Sequence, residues 1–310
     1  PACYRRGGPL TVTDANLMVG KIQSRFFPNV FGPNADEALN ENVVREKFAA
    51  LAAEIEKATG DKRTPVEVAE GFLMIAVENM AKAIKQISIQ RGYDVTEYTL
   101  NCFGGAGGQH ACLVADSLGI SRVFVHPFAG VLSAYGMGLA DLRIMRERAI
   151  EVILEDGMIG DVNKILDEME AEGRAAMEKQ GGDPERTYVQ RKALLRYEGT
   201  DSPLIVDFTD RASMVKKFEE AHHLQYGFIA PEKAHIVEAV TAEVISGSAD
   251  VIEPEVEGEA GGDVDILGET ETYMAGGHHQ TRLYDRDTMK PGACVEGPAV
   301  IMDSNATTVI

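Results

Sequence analysis

Cysteine is scarce in this 310-residue chain, and its four copies, Cys3, Cys102, Cys112 and Cys294, never form a C-x-x-C pair. That scatter provides neither a disulfide framework nor a compact zinc site, and it reads as free thiols in a reducing cytoplasm. Long apolar runs are missing as well. No stretch of about 18 apolar residues is present to span a bilayer, and no charged segment followed by an apolar core opens the chain as an export signal would. Positive charge is outnumbered, 30 basic against 49 acidic side chains for a net charge of −19. A polyanionic partner, nucleic acid or anionic membrane, is therefore disfavoured. The string G-x-x-x-x-G-K-[ST] is absent, which removes P-loop chemistry. What remains is an ordinary globular composition, 45% hydrophobic and 25% charged, long enough for two domains.

The most informative segment is Tyr98–His110, where an apolar, β-rich run ends in four glycines within five positions, Gly104, Gly105, Gly107 and Gly108, before a helical pattern begins at Gln109. Without Cβ atoms the chain accepts positive φ and lets a flat or anionic group lie on its peptide planes. The helix that follows offers free N–H groups. The dinucleotide pattern G-x-G-x-x-G fails, because His110 stands at its last glycine. A tight turn serving packing alone is the competing reading.

Elsewhere the pattern alternates. Thr11–Asp14 caps a short helix over Ala15–Gly20, with Thr13 or Asp14 as N-cap. Asn40–Thr59 is an amphipathic helix ending at Gly60. Thr64-Pro-Val-Glu67 is a capping box, and Val68, Phe72, Ile75, Ala76, Met80, Ala83, Ile84 and Ile87 form one core stripe ending at Gly92. A strand over Tyr98–Phe103, a helix over Gln109–Leu118, a strand over Arg122–His126 and a helical segment over Gly130–Asp141 complete an α/β layer pattern. Beyond Arg146 the texture becomes α+β: a strand at Ile150–Leu154, a charged helix over Ile159–Lys179, strands at Tyr188–Tyr197 and Pro203–Phe208, a helix over Ala212–Tyr226, and a long strand over Ala234–Ser246. An acidic, Gly-rich flexible segment at Glu253–Asp265 follows, then short β segments near Glu271–Met274, Arg282–Tyr284 and Ala299–Met302. The expected domains are therefore 1–145 and 146–310. The chain starts without Met and stops on Thr308-Val-Ile310, so we expect a piece of a longer polypeptide with a strand left open at its end.

Five segments carry a resemblance: Gly8–Leu17, Cys102-Phe-Gly-Gly-Ala-Gly-Gly-Gln-His-Ala111, Gly130–Asp141, Arg196-Tyr-Glu-Gly-Thr-Asp201 and Gly297-Pro-Ala-Val-Ile-Met-Asp-Ser-Asn305. End to end and in order, they resemble the hydantoinase A and 5-oxoprolinase family. Pro1–Pro9 and Gly276-Gly-His-His-Gln-Thr281 are most similar to its ATP-dependent 5-oxoprolinase branch. The resemblance implies a partial actin-like ATPase lobe, of the sugar-kinase and heat-shock-chaperone type, followed by an α+β C-terminal domain. It also implies that Gly104, Gly105, Gly107, Gly108 and Gln109 lie against the adenosine of ATP, and that Mg²⁺ accompanies the nucleotide. The lactam oxygen would be phosphorylated before water attacks, opening 5-oxoproline to glutamate. The family's Asp- and Gly-rich phosphate loop is not in this sequence, so an N-terminal lobe upstream and a hydantoinase B-type domain or subunit are the implied partners, with a homo-oligomer possible. The fragment alone is expected to be inactive. The alternatives are an N-methylhydantoinase, a ketone carboxylase subunit, or a non-catalytic nucleotide-gated assembly module.

Asp14 and Asp201 lie in family-like motifs and are the catalytic candidates, set against helix capping for Asp14 and a turn role for Asp201. No metal ligand set is assigned. His110 reads as a residue of the first helical turn, His278 and His279 as turn or surface residues on opposite strand faces, His222 and His223 as solvated. Cys102, Cys112, Met74 and Met80 read as core.

Overall fold

In the computed structural model, which describes residues 1–247, 261–262 and 264–310, the chain divides into two compact units. The first unit begins with α1 (Val12–Met18), α2 (Glu41–Thr59) and α3 (Pro65–Gln90, whose last residue falls in the second unit). It continues through β1 (Leu100–Cys102), α4 (Ala111–Leu118), β2 (Val123–Val125) and the start of α5 (Leu132–Leu139). β1 and β2 pair in parallel, Asn101 opposite Phe124. The second unit holds β3 (Leu142–Ile153), α6 (Asp156–Lys179), β4 (Thr187–Tyr197), β5 (Leu204–Asp207), α7 (Arg211–Tyr226) and β6 (His235–Ser246). The chain then returns to the first unit with β7 (Ile266–Met274), β8 (Gly277–Asp285), β9 (Ala299–Met302) and β10 (Thr307–Val309).

The helices start and stop where local chemistry says they should. Asn40 accepts from the Val43 N–H at 3.1 Å to open α2, and Gly60, at φ 77°, closes it. Thr64 and Glu67 exchange hydrogen bonds at the entrance of α3, as a capping box requires. α1 differs in detail: its N-cap is Thr11, and Asp14 sits at the third helical position of the box.

The buried face of α3 matches the expected one only in part, with Val68 buried and Phe72 and Ile84 packed against the core. Val68, Ala69, Leu73, Val77 and Ala81 are buried, whereas Ile75, Met80 and Ile87 are exposed, and so is Met74. The apolar arc of this helix is wider than the surface its own unit offers, and periodicity cannot say which part of a wide arc is covered. Met74 and Met80 are accordingly not core residues. Cys102 is buried and Cys112 half-buried.

In the second unit β3, β6, β4 and β5 form one antiparallel sheet in that order, covered by α6 and α7. Leu166, Met169, Leu195, Phe218 and Val237 fill its core. Tyr197 is packed edge-on to Phe218 and its hydroxyl accepts from the Ala230 N–H at 3.0 Å. β3 begins well before the expected Ile150, because pairing with β6 from Leu142 opposite Ser246 organises a stretch whose alternating Arg and Glu carry little apolar signal. His222 is buried, not solvated, with Nδ1 2.8 Å from the Phe228 carbonyl; His223 is exposed.

β10, β9, β8 and β7 form the sheet of the chain's last part. Its packing partners lie in the N-terminal half: the Tyr273 N–H donates to Val19 O at 2.9 Å and Thr307 N–H to Gly105 O at 3.2 Å. These residues pack compactly with the N-terminal segments, through contacts between parts far apart along the chain. The run Thr308-Val-Ile310 is paired on one side, where β10 runs antiparallel to β9 at the edge of this sheet. Most of the segment expected to be flexible, Glu253–Asp265, lies outside the described residues.

Candidate functional site

The glycine cluster forms a strand–turn–helix junction in the first unit. β1 ends at Cys102, Gly104 takes φ 88° and donates its N–H to Ala129 O at 2.7 Å, and a 3₁₀ turn over Gly107–Gln109 leads into α4. The turn has two faces. On one, the chain's own C-terminal hairpin presses against it: a Cβ on Gly108 would stand 2.6 Å from Thr307 O, and one on Gly105 2.9 Å from Asn305 O. Close approach of backbone is thus one reason for glycine here. On the other face Gly105 and Ala106 are exposed and border a cavity of about 330 Å³.

Aromatic and aliphatic side chains of Tyr4, Ile22, Phe26 and Phe27 form one wall of that cavity. Asp303, Ser304, Asn305 and Thr307, from the β9–β10 hairpin, form a polar rim, and Gln109 stands beside Ala106. Arg25 lies over the Phe26 ring, 4.7 Å from its centroid. The hairpin tip also borders a second cavity of about 320 Å³, with Phe128, Gly130 and Arg286. A cavity lined by both apolar rings and exposed peptide planes suits a flat heterocycle, and hydroxyl, amide and carboxylate groups suit its polar edge.

Gly105 thus lies on the cavity, Gly104 sets the bend, Gly107 stands over the Cys102 thiol, Gly108 is buried beneath β10, and Gln109 is buried at the cavity wall. Asp14 is placed differently. It is fully buried and accepts from Ala2 N at 3.0 Å, Cys3 N at 2.8 Å, Thr11 N at 2.8 Å and Thr11 Oγ1 at 2.9 Å. Burial alone would raise its pKa, but the donors from Cys3, Ala2 and Thr11 together hold it below the usual carboxylate range. With its lone pairs occupied, Asp14 is a clamp on the segment before α1, and it has no oxygen to offer a metal or a water. Asp201 is exposed in the turn between β4 and β5 of the second unit. The glycine turn belongs to the first unit.

Among the described residues no group of three His, Cys, Asp or Glu side chains converges as a metal site. His278 Nδ1 is 3.0 Å from Glu271 Oε1, and His279 Nε2 meets Met274 O at 2.9 Å, so the pair diverges as strand geometry requires.

Sequence reasoning missed the aromatic wall, the hairpin rim and a polar cluster behind the turn. The sequence marks a short β segment at Ala299–Met302, but nothing local shows that the tip after it returns to Gly105. His110 is buried against Asn16, whose Nδ2 is 3.1 Å from its Nε2. Burial, with the neighbouring Lys21 charge, lowers its pKa to about 4. A folded pKa below the unfolded value of about 6.5 means stability that is complete above that value and falls with pH down to about 4. Urea unfolding at pH 7 and pH 5 should show wild type losing more stability than His110→Gln on acidification, by about 1.4 kcal/mol per pH unit. Parallel losses in the two proteins would count against this assignment.

Comparison with known proteins gives a consistent picture. The hydantoinase/oxoprolinase family model matches residues 1–146, and the hydantoinase/oxoprolinase C-terminal domain model matches 156–310. The chain is 35% identical over 322 residues to 5-oxoprolinase of Saccharomyces cerevisiae and 33% identical over 325 residues to 5-oxoprolinase 1 of Arabidopsis thaliana; both alignments take in all of this chain and 25% of the relative. It is similar in structure to the crystal structure of ATP-dependent caprolactamase from Pseudomonas jessenii, with a TM-score of 0.82 at 23% identity over 100% of this chain and 45% of that one. Nucleotide-free acetone carboxylase gives a TM-score of 0.67 at 19% identity, with the same coverage. The chain spans about a quarter of the length of these 5-oxoprolinases and under half of the two structures.

Proposed function

Because the chain belongs to the hydantoinase/oxoprolinase family, we propose that it is part of an ATP-dependent cyclic-amide hydrolase that opens 5-oxoproline to glutamate, and that its first unit supplies the adenosine-side floor of the nucleotide cleft. The observation that carries this is the exposed backbone of Gly105 and Ala106, bordering a cavity that Tyr4, Phe26 and Phe27 also line. ATP would supply the phosphoryl group that activates the lactam oxygen. This chain's share is binding: Gly105 and Ala106 give a surface with little side chain above it, Phe26 and Tyr4 a ring-sized wall, and the Asp303–Thr307 rim a polar edge. The residues present do not fit Mg²⁺ at Asp14, whose acceptors are saturated, and no step is assigned to the ion. The 5-oxoprolinases among the relatives favour this substrate over N-methylhydantoin or a ketone.

The test is an equilibrium titration of the chain with N-methylanthraniloyl-ATP, in wild type and in Ala106→Trp. Ala106 is exposed, so an indole there fills the cavity without entering the core. Saturable binding in wild type, weakened at least 30-fold by Ala106→Trp with an unchanged melting temperature, is expected. No saturable binding in wild type, or equal binding in the variant, would remove the floor from the mechanism. Substrate identity is read from ADP release by the longer polypeptide proposed here, compared across 5-oxoproline, N-methylhydantoin and acetone. Stimulation by 5-oxoproline alone is expected.

A further inference from the structure

Behind the glycine turn four polar side chains are buried together: Asn16, Lys21, Gln109 and His110, exposed by 1%, 3%, 5% and 7%. Lys21, in the turn after α1, is the unusual member. Its ammonium donates to the Gln109 carbonyl at 3.3 Å, and among the described residues no carboxylate forms an ion pair with it. Burial pushes its pKa down, only partly opposed by Cys112 and Glu70. A buried ammonium with one hydrogen bond is expensive, and methionine would fill the same volume without the desolvation penalty. Asn16 grips the other end of the same residue, its Nδ2 donating to Gln109 Oε1 at 2.7 Å. Two atoms of the cluster, Asn16 Oδ1 and His110 Nδ1, lack partners among the described residues. The cluster is therefore under-satisfied, a poor device for stability. It converges on Gln109, the residue that ends the 3₁₀ turn and stands at the cavity wall.

We infer that Lys21 is a positioning residue of the nucleotide floor: its ammonium fixes the Gln109 carbonyl, and with it the orientation in which Gly105 and Ala106 face the cavity. The inference rests on the reading that this cavity takes the nucleoside. It assigns Lys21 a role through Gln109, with no contact to ligand, and explains why a charge is kept where an apolar stem would pack.

A merely structural lysine and a positioning lysine respond differently to Lys21→Met. Removing a structural contact lowers melting temperature and affinity together. Removing a charge held against stability leaves the melting temperature equal or higher while affinity falls. The chain carrying Lys21→Met is therefore expected to melt at or above the wild-type temperature and to bind N-methylanthraniloyl-ATP at least tenfold more weakly. Lys21→Gln, with an amide donor on a shorter stem, is expected to recover part of that affinity. Binding within twofold of wild type in Lys21→Met overturns the inference, as does a fall in melting temperature or failure of that variant to fold. The two ideas fail separately: a wild-type chain that does not bind removes the nucleotide reading and this inference with it, whereas binding that is lost in Ala106→Trp but survives Lys21→Met removes the inference alone.

Discussion

Asp14→Ala is expected to lower the unfolding free energy by roughly 3–5 kcal/mol, the loss typical of a buried charged acceptor taken from several donors at once. The carboxylate is fully buried and serves the N–H groups of Ala2, Cys3 and Thr11 besides the Thr11 hydroxyl. Alanine leaves those peptide donors without partners in a site water does not reach. Asp14→Asn keeps the shape but turns an amide NH₂ toward donors, so a loss of similar sign and smaller size is expected. Because the folded carboxyl titrates below its usual range, its contribution is complete above the unfolded value of about 3.9 and disappears only as pH falls through the lower folded value. The gap between wild type and Asp14→Ala should therefore narrow in strong acid. A local probe accompanies the global one. Burial, followed by the Asp14 side chain, pushes the Cys3 thiol up to about 12, so Cys3 should resist iodoacetamide in the native protein and become reactive in Asp14→Ala as the segment frays. A variant within about 1 kcal/mol of wild type, with Cys3 still protected, would show that the clamp does not hold this segment.

This contrast shows where sequence reasoning reaches and where it stops. The Thr64–Glu67 box and the closing glycine Gly60 were legible because each acts within four residues of itself, whereas periodicity puts Asn40, the cap, inside the helix it opens. The glycine turn was legible as a junction for the same reason. What could not be read is what comes back to it. The tip Asp303–Asn305 lies some two hundred positions along the chain from Gly105, and its approach is made through backbone atoms, which leave no mark on residue type. Lys21 was invisible for a different reason: a lysine after Gly20 reads as solvated by default, and only the packing around it shows that it is enclosed. The exposed side of α3 is the converse. Ile75, Met80 and Ile87 sit at helical spacing that fits a core, yet all three are exposed, with nothing among the described residues that buries them.

The same distinction yields a prediction for the turn itself. Gly108→Val is expected to cost about 3 kcal/mol, because the new Cβ would stand 2.6 Å from both Thr307 O and Thr308 Oγ1 and 2.9 Å from Thr308 Cα, and a strand backbone cannot swing aside as a long side chain can. Gly104→Ala meets nothing within 4 Å, but its φ of 88° strains any L-residue, so about 1 kcal/mol is expected. One loss is steric and the other conformational, and hydrogen exchange separates them. The Thr307 N–H that donates to Gly105 O at 3.2 Å should exchange faster in Gly108→Val, as β10 is pushed from the turn, and keep its protection in Gly104→Ala. If Gly108→Val were as stable as wild type, the hairpin would not be seated on the glycine turn, and the rim it lends to the cavity would have to come from elsewhere.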